Sequence, residues 1–81
     1  MTYTINFSDG RPSIECSDYY TEVTGLLAKM IGPDVEIGDD EQDGGVDEDG
    51  GQPMRRLVWE TEEDSENDDG ANAVASILWT E

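Results

Sequence analysis

The chain has 81 residues, 21 of them Asp or Glu against 4 Lys or Arg and no His, for a formal net charge of −17. That length allows one small domain, burying about 60% of its extended-chain surface, so its core is small and self-repulsion works against it. Nucleic acid and anionic membrane are poor direct ligands because their phosphates carry the same sign of charge; the complementary partner is basic.

In chain order, Tyr3, Ile5 and Phe7 alternate with Thr2, Thr4, Asn6 and Ser8. That period of two predicts a half-buried strand. Asp9-Gly10 follows, and Asp-Gly between extended runs predicts a hairpin whose return strand points Ile14 and Cys16 inward. Ser17 suits a helix N-cap, with Asp18 in the first turn where the macrodipole favours an anion. Tyr19, Tyr20, Val23, Leu26, Leu27, Met30 and Ile31 then recur at helical spacing, opposite Asp18, Glu22, Gly25 and Lys29. This is an amphipathic helix that must pack on something, and Gly32-Pro33 ends it. Of the Tyr19-Tyr20 pair, one ring is expected beneath the sheet and the other at its margin.

Asp34 to Ile37 fits a brief strand. Residues 38–53 (GDDEQDGGVDEDGGQP) hold a single aliphatic residue, five Gly and seven acids, a composition that predicts a mobile loop with no core of its own. Met54 to Thr61 resumes strand character with Leu57 and Trp59 on the inner face. A second acidic segment spans about 60–70. The close alternates Ala73, Ala75, Ile77 and Trp79 with Val74 and Leu78, predicting a strand that pairs back onto 54–61; its alanines make a short helix the competing reading. The expected fold is α+β, a single domain over residues 1–81. An N-terminal β-hairpin and one amphipathic α-helix precede two or three antiparallel strands, giving a small sheet with the helix on one face. The helix stripe with Tyr3, Ile5, Phe7, Leu57, Trp59 and Ile77 is the expected core.

Histidine is missing, and the carboxylates lie in Gly-rich polar sequence with nothing to bury and desolvate one of a pair for acid–base work. Without His there is no imidazole base, shuttle or metal ligand. Cys16, the single cysteine, excludes an internal disulfide and a cysteine-built zinc site, and fits a small core residue. Neither Gly44-Gly45 nor Gly50-Gly51 has the Lys and Ser or Thr of a phosphate loop. No enzyme activity and no cofactor are expected. Trp59 and Trp79 fit cross-strand core aromatics, and Arg55 and Arg56 fit tethers for neighbouring acids.

The charge is concentrated. Asp39, Asp40, Glu41, Asp43, Asp47, Glu48 and Asp49 form one run; Glu60, Glu62, Glu63, Asp64, Glu66, Asp68 and Asp69 form the other. Neither run contains Lys or Arg, and the rest of the chain, with seven acids and four bases, sums to −3. A strand between them separates the runs by about 26 Å at ~3.3 Å per residue. Carboxylates so arranged resemble phosphate rows and suit a groove built from Arg and Lys. Three other readings compete: solvated loops, an interaction module using an apolar sheet face, and a divalent-metal site. For the last, Asp39, Glu41, Asp43, Gly44 and Val46 echo an EF-hand loop, but the place of its bidentate Glu is taken by Gly50. Halophile acids would be spread over helices and strands alike, whereas these are clustered.

In size, concentration of charge and lack of catalytic residues, the chain resembles the small acidic DNA-mimic inhibitors of phages and mobile elements, such as anti-CRISPR proteins and inhibitors of restriction enzymes or uracil-DNA glycosylase. The resemblance is one of general character over the whole chain and carries no aligned motif. It implies inhibition by occupancy of a host protein's basic nucleic-acid-binding surface, with the fourteen acids as the binding residues. The expected state is monomer or homodimer. The start MTYTINFSDGR lacks the basic and apolar regions of a signal peptide, and no apolar stretch approaches the ~20 residues that span a bilayer, so a cytoplasmic location is expected.

Overall fold

The structure, a computed structural model, describes residues 2–63 and 73–81. Its elements are β1 (Tyr3–Phe7), β2 (Ile14–Cys16), a π-helical turn (Tyr19–Val23) running into α1 (Thr24–Met30), β3 (Glu36–Ile37), β4 (Glu41–Gln42), β5 (Pro53–Trp59) and β6 (Ala75–Thr80). The fold is α+β as the pattern predicts: mostly antiparallel sheet, with an N-terminal strand pair and one helix. Strand order is β2-β1-β6-β5-β3, with β4 also pairing with β5. The last strand therefore closes the sheet at its centre, between the first strand and β5. The expected pairing of the chain's end onto 54–61 holds through Val58↔Ala75, Arg56↔Ile77 and Met54↔Trp79.

The N-terminal hairpin forms as expected, around Gly10 at a positive φ of 90°. Asp9 holds the turn by accepting from the Arg11 N–H at 3.1 Å and from Arg11 Nε at 2.6 Å. The helix begins one residue later than expected. Asp18, not Ser17, is the N-cap, and its carboxylate accepts from the Thr21 N–H at 3.0 Å. The backbone bond from Thr24 reaches five residues back to Tyr19, so the first turn is wider than an α turn. The helical stripe holds for Val23 and Leu27, both fully buried, with Tyr19, Leu26, Met30 and Ile31 packed around them. Tyr20 departs from it: one step, or about 100°, beyond Tyr19, it stands 84% exposed.

Ile5, Ile77 and Val58 complete the fully buried set, and Phe7, Cys16, Ala75 and Trp79 close the core between helix and sheet. Side chains alternate along a strand, so the register assigns faces. Ile5↔Ile77 and Ile77↔Arg56 place Met54, Arg56 and Val58 on the helix side of β5. That corrects the expected core: Leu57 points to the opposite face, and so does Trp59, although it too is buried, at 6% exposure. The cause is Arg56, whose long stem occupies an inward position while its head reaches out. Its guanidinium lies over the rings of Tyr19, at 5.0 Å, and Trp79, at 5.8 Å, and Nη1 donates to Tyr19 Oη at 2.9 Å.

Among the described residues no helix is long and apolar enough to cross a membrane.

Candidate functional site

Residues 36–43 are laid along β5 rather than standing off as a featureless loop. Glu36 and Ile37 pair with Trp59 and Val58, Gly38 N–H donates to Leu57 O at 2.8 Å, Glu41 and Gln42 pair with Arg55 and Met54, and Asp43 N–H donates to Pro53 O at 2.9 Å. The chain thus follows β5 from its end back to its beginning. The acids it carries, Glu36, Asp39, Asp40, Glu41 and Asp43, become a row along one edge of the sheet.

Two arginines pin that row, as the sequence suggests. Arg55 Nη2 meets Glu41 Oε2 at 3.3 Å and Arg55 Nη1 meets Asp43 Oδ1 at 3.9 Å, while Arg56 Nε bonds Asp40 Oδ1. These pairs are part-exposed, with side-chain accessibilities of 31–50%. Each adds at most about 1 kcal/mol to stability, so their effect is positional. Arg55 and Arg56 lie on opposite faces of β5, so Glu41 and Asp43 are drawn to one side of the edge and Asp40 to the other.

Beyond the β5 start the first run turns. Asp47 Oδ1 accepts from the Asp49 N–H at 3.0 Å and the Gly51 N–H at 2.7 Å, and Gly50, at φ 84°, completes the reversal. Asp47 is therefore a turn-builder, while Glu48 and Asp49 stand exposed beside it. The second run begins at the other end of β5 with Glu60, Glu62 and Glu63, all exposed. Asp64, Glu66, Asp68 and Asp69 lie outside the described residues. An open hollow of about 470 Å³, lined in part by Asp34, Glu36, Glu62 and Glu63, joins this end to the row.

Among the described acids, Asp47, Glu48 and Asp49 lie beyond the start of β5 and Glu60, Glu62 and Glu63 beyond its end, so the strand does separate the two runs there. Glu36, Asp39, Asp40, Glu41 and Asp43 lie between these ends, alongside β5. Five acids fall within residues 36–43; at ~3.3 Å per residue that segment spans at most ~26 Å, or one carboxylate per ~5 Å. A duplex carries one phosphate per ~1.7 Å of axis and a single strand one per ~3.4 Å. The row is thus much sparser than a duplex and nearer one strand.

Glu36, which falls outside both sequence runs, belongs to this line; the alternation in Asp34–Ile37 was the available signal. Among the described residues no group of three or more His, Cys, Asp or Glu stands close enough to hold a metal ion. Cys16 is 3% exposed, and burial, with Glu22 adding to it, pushes its thiol above the ordinary value. Such a thiol is a poor nucleophile.

No family model matches the chain, and no similar curated protein or solved structure is found.

Proposed function

We propose that this protein is an acidic DNA-mimic inhibitor, anti-CRISPR-like in character, that occupies the basic nucleic-acid-binding surface of a host protein such as a defence nuclease. The observation that supports it most is the hydrogen bonding of residues 36–43 to β5. It turns an acid-rich segment into a row of carboxylates with a fixed direction. A fixed row offers a cationic groove charges at set spacing without the entropy cost of ordering a loose tail. Binding by charge alone is fast, weakens steeply with salt, and presents neither a base nor a scissile bond. The protein acts without catalysis, in the host cytoplasm where such targets work.

The test is capture of partners from a host lysate at low and high salt, followed by competition with duplex DNA. The wild type should release its partner when DNA or salt is added. A folded variant with Glu36→Gln, Asp39→Asn, Asp40→Asn, Glu41→Gln and Asp43→Asn should capture it at least tenfold less well. Undiminished capture by that variant would reject the mechanism.

A second reading draws on the sheet face opposite α1, where Leu57 and Leu78 stand part-exposed near Thr4, Asn6 and Ser76. An interaction module using that face would bind its partner undiminished at high ionic strength.

A further inference from the structure

We infer that the notch beside Tyr20 receives an arginine side chain of the basic partner. This rests on the reading above and adds to it a contact that selects arginine over other cations. Tyr20 and Val46 are the large hydrophobic side chains left exposed among the described residues, and Tyr20 is the more exposed, at 84% against 63%. A ring held in water adds little to folding. It sits on the π-helical turn, edge to face with Tyr19 at 5.2 Å between centroids, and its own broad surface is open to a guest.

Tyr20 lines this notch together with Tyr3, Tyr19, Asp40, Arg56, Trp79 and Glu81, whose Oε1 accepts from Trp79 Nε1 at 3.3 Å. Its volume is about 120 Å³, roughly that of four waters at ~30 Å³ each and comparable with the four heavy atoms of a guanidinium. Arg56 already displays the chemistry: a guanidinium over aromatic rings, bonded to Asp40 and to a tyrosine hydroxyl. A second guanidinium arriving from solvent finds Tyr20 for stacking and Glu81 as the further carboxylate. Asp40 offsets the charge of Arg56, and the chain's net charge of −17 favours a cation and repels an anion. Planar, weakly hydrated guanidinium suits the ring better than a compact, strongly hydrated ammonium.

The probes are nona-arginine and nona-lysine, which carry equal charge, titrated at low salt by calorimetry against the wild type, Tyr20→Ala and Tyr20→Phe. Tyr20→Ala should weaken nona-arginine about threefold to fivefold, as expected of an exposed cation–π contact. It should change nona-lysine by less than about twofold, and Tyr20→Phe should keep the arginine preference. Equal losses for both peptides, or no loss for arginine, would overturn the inference. So would a neutral Gly-Ser nonapeptide bearing one tyrosine, if it bound through Tyr20 when nona-arginine did not. Failure of both cationic peptides to bind the wild type would instead count against the inhibitor reading itself.

Discussion

The ring of Trp59 lies over the backbone of Gly38: a Cβ built on Gly38 would stand 2.8 Å from Trp59 Cζ3 and 3.1 Å from Cη2. Real side chains do not approach that closely, so glycine is required here by the packed ring. The contact holds the corner between β3 and β4, between Glu36 and Asp39 of the acid row, flat against β5. Gly38→Ala should therefore destabilise the protein by about 1–3 kcal/mol, as overpacking does. Gly45→Ala meets nothing within 4 Å and should be nearly neutral. Urea unfolding followed by tryptophan fluorescence separates the two.

Arg56 joins the acid row to the aromatic side of the core. Arg56→Met keeps much of the buried stem but loses the bonds to Asp40 and Tyr19 Oη, and should cost about 1–3 kcal/mol. Arg56→Lys should not restore it, since an ammonium lacks the flat fork. Burial raises the Tyr19 hydroxyl above its ordinary value, and Arg56 opposes that rise. In Arg56→Met the Tyr19 pKa should climb further, which tyrosinate absorbance against pH would read.

The alkaline limb of stability follows from Cys16 and Tyr19. Both are raised in the folded state, first by burial, from ordinary values of 9.0 and 10.0. A group whose folded value is raised contributes stability that is complete below the unfolded value and lost as pH climbs through the folded one. The urea midpoint should thus begin to fall above about pH 9. Cys16→Ala should flatten the first part of that fall, and a thiol reagent should label Cys16 only on unfolding.

Charge repulsion predicts a salt-dependent gain. Asp39, Glu48 and Asp49 are exposed, and no Lys or Arg pairs with them among the described residues. Neutralising all three to Asn and Gln should raise the Tm at low ionic strength. The gain should shrink near 1 M salt, where the Debye length is ~3 Å. Asp47→Ala should do the opposite and lower the Tm, because it removes the acceptor for two backbone N–H groups of the turn.

The hairpin, the helix and the closing strand were legible because each rests on a strong local signal. Period-two alternation marks Tyr3 to Phe7 and Ala73 to Trp79, and helical spacing marks Val23 to Ile31. The inner face of β5 was not legible. In MRRLVW the bulk of Leu57 and Trp59 suggests an inward pair, yet the register with β6 puts Arg56 inward, and no local pattern shows that its head escapes to Asp40. β4 was hidden for a related reason: Glu41-Gln42 has little strand propensity, and its pairing depends on Arg55, fourteen residues away. Likewise the acids were readable as residues but not as a line, since their alignment depends on β5 and on a corner that only glycine permits. The Tyr19-Tyr20 pair divides as its adjacency predicts, with Tyr19 packed against the core and Tyr20 left in solvent.

The central claim is that carboxylates aligned on β5 take the place of phosphates in a cationic groove. The most direct measurement is the affinity for the captured partner as a function of salt, with and without duplex DNA, for the wild type and for Gly38→Ala. The account predicts a steep fall with salt, mutual exclusion with DNA, and weaker binding by Gly38→Ala under conditions where it stays folded. Affinity indifferent to salt, or a ternary complex with DNA, would contradict it.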